Sequence, residues 1–149
     1  MYDSTEDTEK HIETVQLYLR RVRVEIDRVS KRHDASKLKP PEKELYDEYT
    51  PKLSSVVYGS DEYKQYLAEM GEVLQHHYKV NRHHPEHFEN GINGMTLVDL
   101  VEMLCDWKAA TLRMKDGDFQ KSLEYNKARF QIGDQLLQIL KNTAEYFGW

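Results

Sequence analysis

Five of the chain's seven histidines fall within twelve residues, from His76 to His87, in a stretch that reads His-His-Tyr-Lys-Val-Asn-Arg-His-His-Pro-Glu-His. A fold that gathers so many imidazoles must partner them, because a polar group buried without a hydrogen bond costs free energy. Imidazole together with carboxylate is also the donor set of a divalent metal site. The fold is therefore expected to bring the remaining histidines, His11 and His33, and the acids Asp34 and Asp106 up to this stretch. Its length of 149 residues suffices to bury a core without disulfides and predicts one domain over 1–149.

Composition narrows the function classes. Charged residues are 32% and apolar residues 39% of the chain, the balance of a water-soluble protein. The net charge of -5 argues against a dedicated nucleic-acid binder. No apolar run approaches the ~20 residues of a membrane span, and the acidic, polar N-terminus is unlike a secretory signal. The lone cysteine, Cys105, excludes an internal disulfide and fits a reducing compartment. The expected location is the cytoplasm, of a bacterium or of a phage-infected host cell. Leu104 and Trp107 beside Cys105 predict a buried thiol.

Helical periodicity dominates. Val15, Tyr18, Leu19, Val22, Ile26 and Val29 share a face of a first helix running from Ser4, with His11 on the same inward stripe. Ser4 with Asp7 three residues on reads as its capping box. Lys31–Pro41 reads as a loop closed by two prolines. A short helix from Pro41-Glu42 to about Tyr49 is expected to end at Pro51. A longer one, capped by Ser60, carries Tyr63, Leu67, Met70 and Leu74 down one face to His77, with His76 roughly 100° round. Thr96 and Asp99 predict a capping box for a helix reaching about Lys115, with Asp106 at the edge of its apolar stripe. Glu102 on that helix reads either as a surface charge or as the partner of a histidine. A turn at Asp116-Gly117-Asp118 precedes a short helix to Tyr125 and a last one from about Asn126 to Phe147. The expectation is an all-α bundle of five to six helices.

The order of candidate ligands is a histidine on the first helix, then His33-Asp34, then the histidine cluster, then Asp106. This resembles the HD superfamily of metal-dependent phosphohydrolases. His33-Asp34-Ala35-Ser36-Lys37 is similar to that superfamily's His-Asp-x-Gly-Lys form, with Ser36 in place of glycine, and Asp106-Trp107-Lys108-Ala109-Ala110-Thr111 resembles the segment around its final aspartate. His76-His77 resembles the paired histidines of two-metal members, although the Gly-Tyr-Pro motif of one branch is absent and His83-His84-Pro85-Glu86 stands in its place. The full length also resembles a small family of uncharacterised bacterial and phage proteins that pairs His-Asp-x-Ser-Lys with Asn-x-His-His-Pro-Glu and a Glu-Met-x-x-Asp-Trp helix.

The resemblance implies an HD-domain-like bundle and metal ligands at His11, His33, Asp34, His77, His83, His84 and Asp106. His87 is left outside, and His77 is preferred to His76. One or two divalent transition ions are expected, manganese, iron, cobalt, nickel or zinc, because the ligands mix nitrogen and oxygen. Lys37 is expected to offset charge on a phosphate, and Glu86 to pass a proton or orient a ligand histidine. The implied reaction is hydrolysis of a nucleotide or other small phosphoester by a metal-activated water. The alternatives are an HD-type di-iron oxygenase and a non-catalytic protein that sequesters a nucleotide. The expected partner is a small phosphorylated molecule, with membrane excluded, nucleic acid disfavoured and a homo-oligomer left open.

Overall fold

The computed structural model describes residues 2–114 and 117–149. The described residues form seven α-helices and three short 3-10 helices, with no strand, so the fold is all-α. No helix among them is long and apolar enough to cross a membrane. The chain divides into two units, Met1–His33 and Asp34–Trp149.

The first unit is built on α1 (Thr5–Ser30). Its start is fixed differently from the expected capping box. Ser4 makes no side-chain cap. Instead the Asp3 carboxylate accepts the backbone N–H of Thr5 at 3.0 Å and its hydroxyl at 2.7 Å. Glu6 and Asp7 in the first turn and Arg28 in the last complement the helix dipole. The stripe expected to face a core is not buried: no residue of α1 is, and Val15, Tyr18, Leu19 and Val22 are exposed.

The second unit opens with Asp34 in the left-handed region (φ 54), followed by a 3-10 turn at Ala35–Leu38. Aspartate tolerates that backbone better than most residues. Next come α2 (Lys43–Ser55), α3 (Asp61–Glu69) and α4 (Gly71–Val80). Pro51 does not stop α2 but lies inside it. It forgoes one backbone hydrogen bond, while Leu53, two residues on, packs with Tyr49, Met70, Leu74 and Tyr78. The single helix expected from Ser60 to the cluster is two, broken at Gly71, whose φ is +49. Ser60 caps α3 as expected, accepting from Tyr63 N.

3-10 turns at Pro85–His87 and Gly91–Gly94 lead to α5 (Leu97–Arg113). Both halves of the Thr96–Asp99 capping box form. Lys115 and the turn residue Asp116 lie outside the described residues. α6 (Phe119–Phe130) runs past the expected break at Asn126 and ends at Gln131 (φ 53), and α7 (Asp134–Tyr146) follows. Asn126 is wholly buried inside α6. Met103, Leu104 and Trp107 of α5 pack on Leu123, Leu137 and Leu140 of the last two helices. Cys105 points away from that core and is exposed, not buried as its neighbours implied.

Candidate metal centre

Three segments of the second unit supply the centre. The left-handed turn supplies Asp34, α4 and the loop after it supply His77, His83 and His84, and α5 supplies Asp106. Asp34, His77, His83 and His84 each offer one ligand atom, all within 4.8 Å of one another. Asp34 and His83 also share such a grouping with Asp106. Two donor groups with Asp34 and His83 in common can hold one ion or two adjacent ions.

The geometry rests on carboxylates behind the imidazoles. Glu42, at the N-terminus of α2, is fully buried. Its Oε2 lies 2.9 Å from His77 Nδ1 and its Oε1 lies 2.8 Å from His76 Nδ1. Ser36 Oγ donates to Oε2 at 2.8 Å, and Asn81 Nδ2 donates to Ser36 Oγ at 2.9 Å. Glu102, one turn before Asp106 on α5, stands 3.2 Å from His83 Nδ1. A carboxylate on Nδ1 fixes the proton there and leaves the Nε2 lone pair for a cation. Those two nitrogens converge: His77 Nε2 is 3.3 Å and His83 Nε2 3.5 Å from the same oxygen, Asp34 Oδ1. His84 Nε2 sits 2.9 Å from His77 Nε2.

The electrostatics favour the ligating forms. Burial holds the His77 imidazole below its usual pKa, with Lys37 adding to the effect against Asp34 and Glu42. Burial and the neighbouring His83 and His77 hold His84 well below the histidine range. Both stay neutral, the form in which an imidazole can ligate a metal. Burial pushes the Glu42 carboxyl up, but its bonds from Ser36, His76 and His77 outweigh that and keep it ionised. Lys37 Nζ donates to Asp34 Oδ2 at 2.5 Å, leaving Oδ1 facing the histidines.

His11 is exposed on α1. His33 closes the first unit and precedes Asp34 directly. Glu86 pairs with Arg129 at 2.7 Å, so its partner is a cation rather than a ligand histidine. His87 lies outside, bonded to the Tyr78 carbonyl at 3.2 Å. Asp99 is a cap held by Arg82, not a ligand. Sequence reasoning missed Glu42. It sits 34 and 35 residues from its histidine partners, beyond any helical period, and reads as an ordinary acid at a helix start. Glu102 was visible, because it lies four residues before Asp106 on one helix side.

A cavity of about 580 Å³ reaches the cluster, lined at that end by Asp34, His77, His84 and Asp106. Its walls carry aromatic rings, Tyr58, Tyr63, Trp107 and Tyr125, and the cations Lys37, Arg113, Lys121 and Arg129. Burial keeps the Tyr58 and Tyr63 phenols protonated, as donors. Arg129 is held charged by Glu86 and by the Tyr78 hydroxyl at 3.3 Å, although burial opposes this. A volume of this order takes a small organic ligand.

Residues 1–146 match the family described as "Family of unknown function (DUF5662)", and the chain belongs to that family. No curated protein and no solved structure matches it.

Proposed function

We propose that the chain is a metal-dependent phosphohydrolase acting on a nucleotide or another small phosphoester. One observation carries this reading: His77 and His83, each backed by a carboxylate on Nδ1, aim Nε2 at a single oxygen of Asp34 beside a cavity with aromatic and cationic walls. The donor set of imidazole nitrogens and carboxylate oxygens fits manganese, iron, cobalt, nickel or zinc. Asp34, His77, His83, His84 and Asp106 are the proposed ligands in the second unit, and the sequence resemblance adds His33 and His11. When bound, the metal supplies a water of lowered pKa and a Lewis-acid contact for a phosphoryl oxygen.

The chain's own groups supply the rest. Lys37 sits in the cavity wall and places an ammonium group where charge builds on the phosphoryl oxygens. Arg129, fixed by Glu86, is the second cation for an anionic ligand, so Glu86 acts in this reading by positioning Arg129. The tyrosine rings stack on the organic part and exclude water from it.

Elemental analysis of untagged protein, wild type beside Asp34→Ala, tests the metal. One or two transition-metal equivalents lost in the variant are expected, followed by release of inorganic phosphate from a nucleotide panel with that metal. No metal in either protein after incubation with manganese, iron or zinc would overturn the reading. Nucleotide bound and returned intact would replace it with sequestration, and oxygen uptake without phosphate release with an oxygenase.

A further inference from the structure

The long helix α1 carries a second pattern. Ile12, Val15, Leu19, Val22, Ile26 and Val29 recur at alternating steps of three and four, the a and d spacing of a coiled-coil seam. Ile12, Val15, Leu19 and Val22 are between 41 and 63% exposed. Leu17 and Val24 lie on the opposite side and take no part in the seam. β-Branched residues fill five of the six seam positions, which suits knobs-into-holes packing and leaves little rotamer freedom to lose.

Charge along the helix selects the partner and its direction. The first half holds four acids, Glu6, Asp7, Glu9 and Glu13, against the single base Lys10. The second half holds four arginines, Arg20, Arg21, Arg23 and Arg28, against Glu25 and Asp27. A second copy laid parallel sets acid beside acid and arginine beside arginine. Laid antiparallel, each acidic half meets a basic half. The antiparallel register also keeps every seam layer: Ile12 faces Val29, Val15 faces Ile26, and Leu19 faces Val22 across the two-fold axis.

We propose that α1 pairs with α1 of a second copy of this chain as an antiparallel two-helix coiled coil, with Ile12, Val15, Leu19, Val22, Ile26 and Val29 as its seam. The self-complementary charge halves make a second copy the fitting occupant, since one sequence supplies both signs.

The test is sedimentation velocity on the full chain from micromolar to sub-millimolar concentration, beside Leu19→Asp and the milder Leu19→Ala. A reversible dimer is expected, with the dissociation constant raised about tenfold or more by Leu19→Asp and by less in Leu19→Ala. Leu19 is exposed in the single chain, so unchanged far-ultraviolet circular dichroism should accompany the loss. Spin labels at Lys10→Cys in a Cys105→Ser background read the direction. Antiparallel pairing puts Lys10 opposite residue 31, a separation of about 30 Å along the axis at ~1.5 Å per residue. Parallel pairing puts the two labels at one level on helices about 10 Å apart. A monomer throughout, a dimer indifferent to Leu19→Asp, or a short label distance would each overturn the proposal.

Discussion

Glu42 Oε2 stands 2.9 Å from His77 Nδ1, and both side chains are almost completely buried. The carboxylate fixes the imidazole proton on the far side of the ring from Asp34, so the lone pair on Nε2 faces the cluster. Replacing Glu42 by Gln keeps the shape but removes the charge and lets an amide compete for the same contact. Groups that orient a metal ligand in this way are worth about 10–100-fold in metal affinity. Glu42→Gln is therefore expected to weaken zinc or manganese binding by that factor in competition with a chromophoric chelator. An affinity equal to wild type would remove Glu42 from any part in metal binding.

That pair also marks where the sequence stops being readable. Helical faces are local, so the all-α class, the Ser60 and Thr96 caps and the inward side of His77 follow from spacing alone. Breaks set by backbone conformation are less visible: the residues with positive φ at Gly71 and Gln131 split what periodicity reads as continuous runs. Pro51 misleads in the other direction, since tertiary packing of Leu53 carries α2 past it. The grouping of Asp34 with His77, His83 and His84, and of Asp34 and His83 with Asp106, was legible because metal chemistry restricts residue types. Glu42 was not, because its role depends on a turn that brings the start of α2 under α4.

The low pKa of His77 and His84 gives the metal-free protein a definite pH dependence. In the unfolded chain both titrate near the ordinary value of 6.5, and in the fold both lie below it. As pH falls through about 6.5 the unfolded chain takes up protons that the folded chain does not, so stability declines toward acid and recovers toward neutral. Urea unfolding of chelator-treated protein between about pH 7.5 and about pH 5.5 should show this loss. His84→Gln should flatten it. A wild-type profile that is level across the window would contradict the neutral assignment of both rings.

Asp99 gives a second loss of stability toward acid, at lower pH. Burial raises its carboxyl, but the Arg82 guanidinium, at 2.9 and 3.0 Å, and the Thr96 donors, at 2.8 Å each, hold it below the ordinary aspartate value of 3.8. A depressed carboxyl stabilises the fold above its unfolded pKa and loses that contribution as pH falls through the folded value. Asp99→Asn is expected to cost about 2 kcal/mol at neutral pH, through the lost cap and charge-assisted bonds. The gap between variant and wild type should close below about pH 4. Parallel denaturation curves at all pH values would show that Asp99 acts by shape and not by charge.

Gly59 tests how tightly the cavity wall is built. Its φ is +77, and a Cβ there would stand 2.5 Å from Tyr125 Cε2. Tyr125 in turn meets Tyr58 edge to face, with ring centroids 5.1 Å apart, and both rings line the cavity. Alanine at this position is strained in its backbone and must also push the Tyr125 ring aside. The combined cost is expected to be about 1–3 kcal/mol, read as a lower Tm. Movement of the Tyr125 ring resonances in the spectrum of the folded variant should accompany it. Strain confined to the backbone would lower Tm and leave those resonances in place. A Tm equal to wild type would mean that the loop between α2 and α3 yields freely, and that Tyr125 is not held by Gly59.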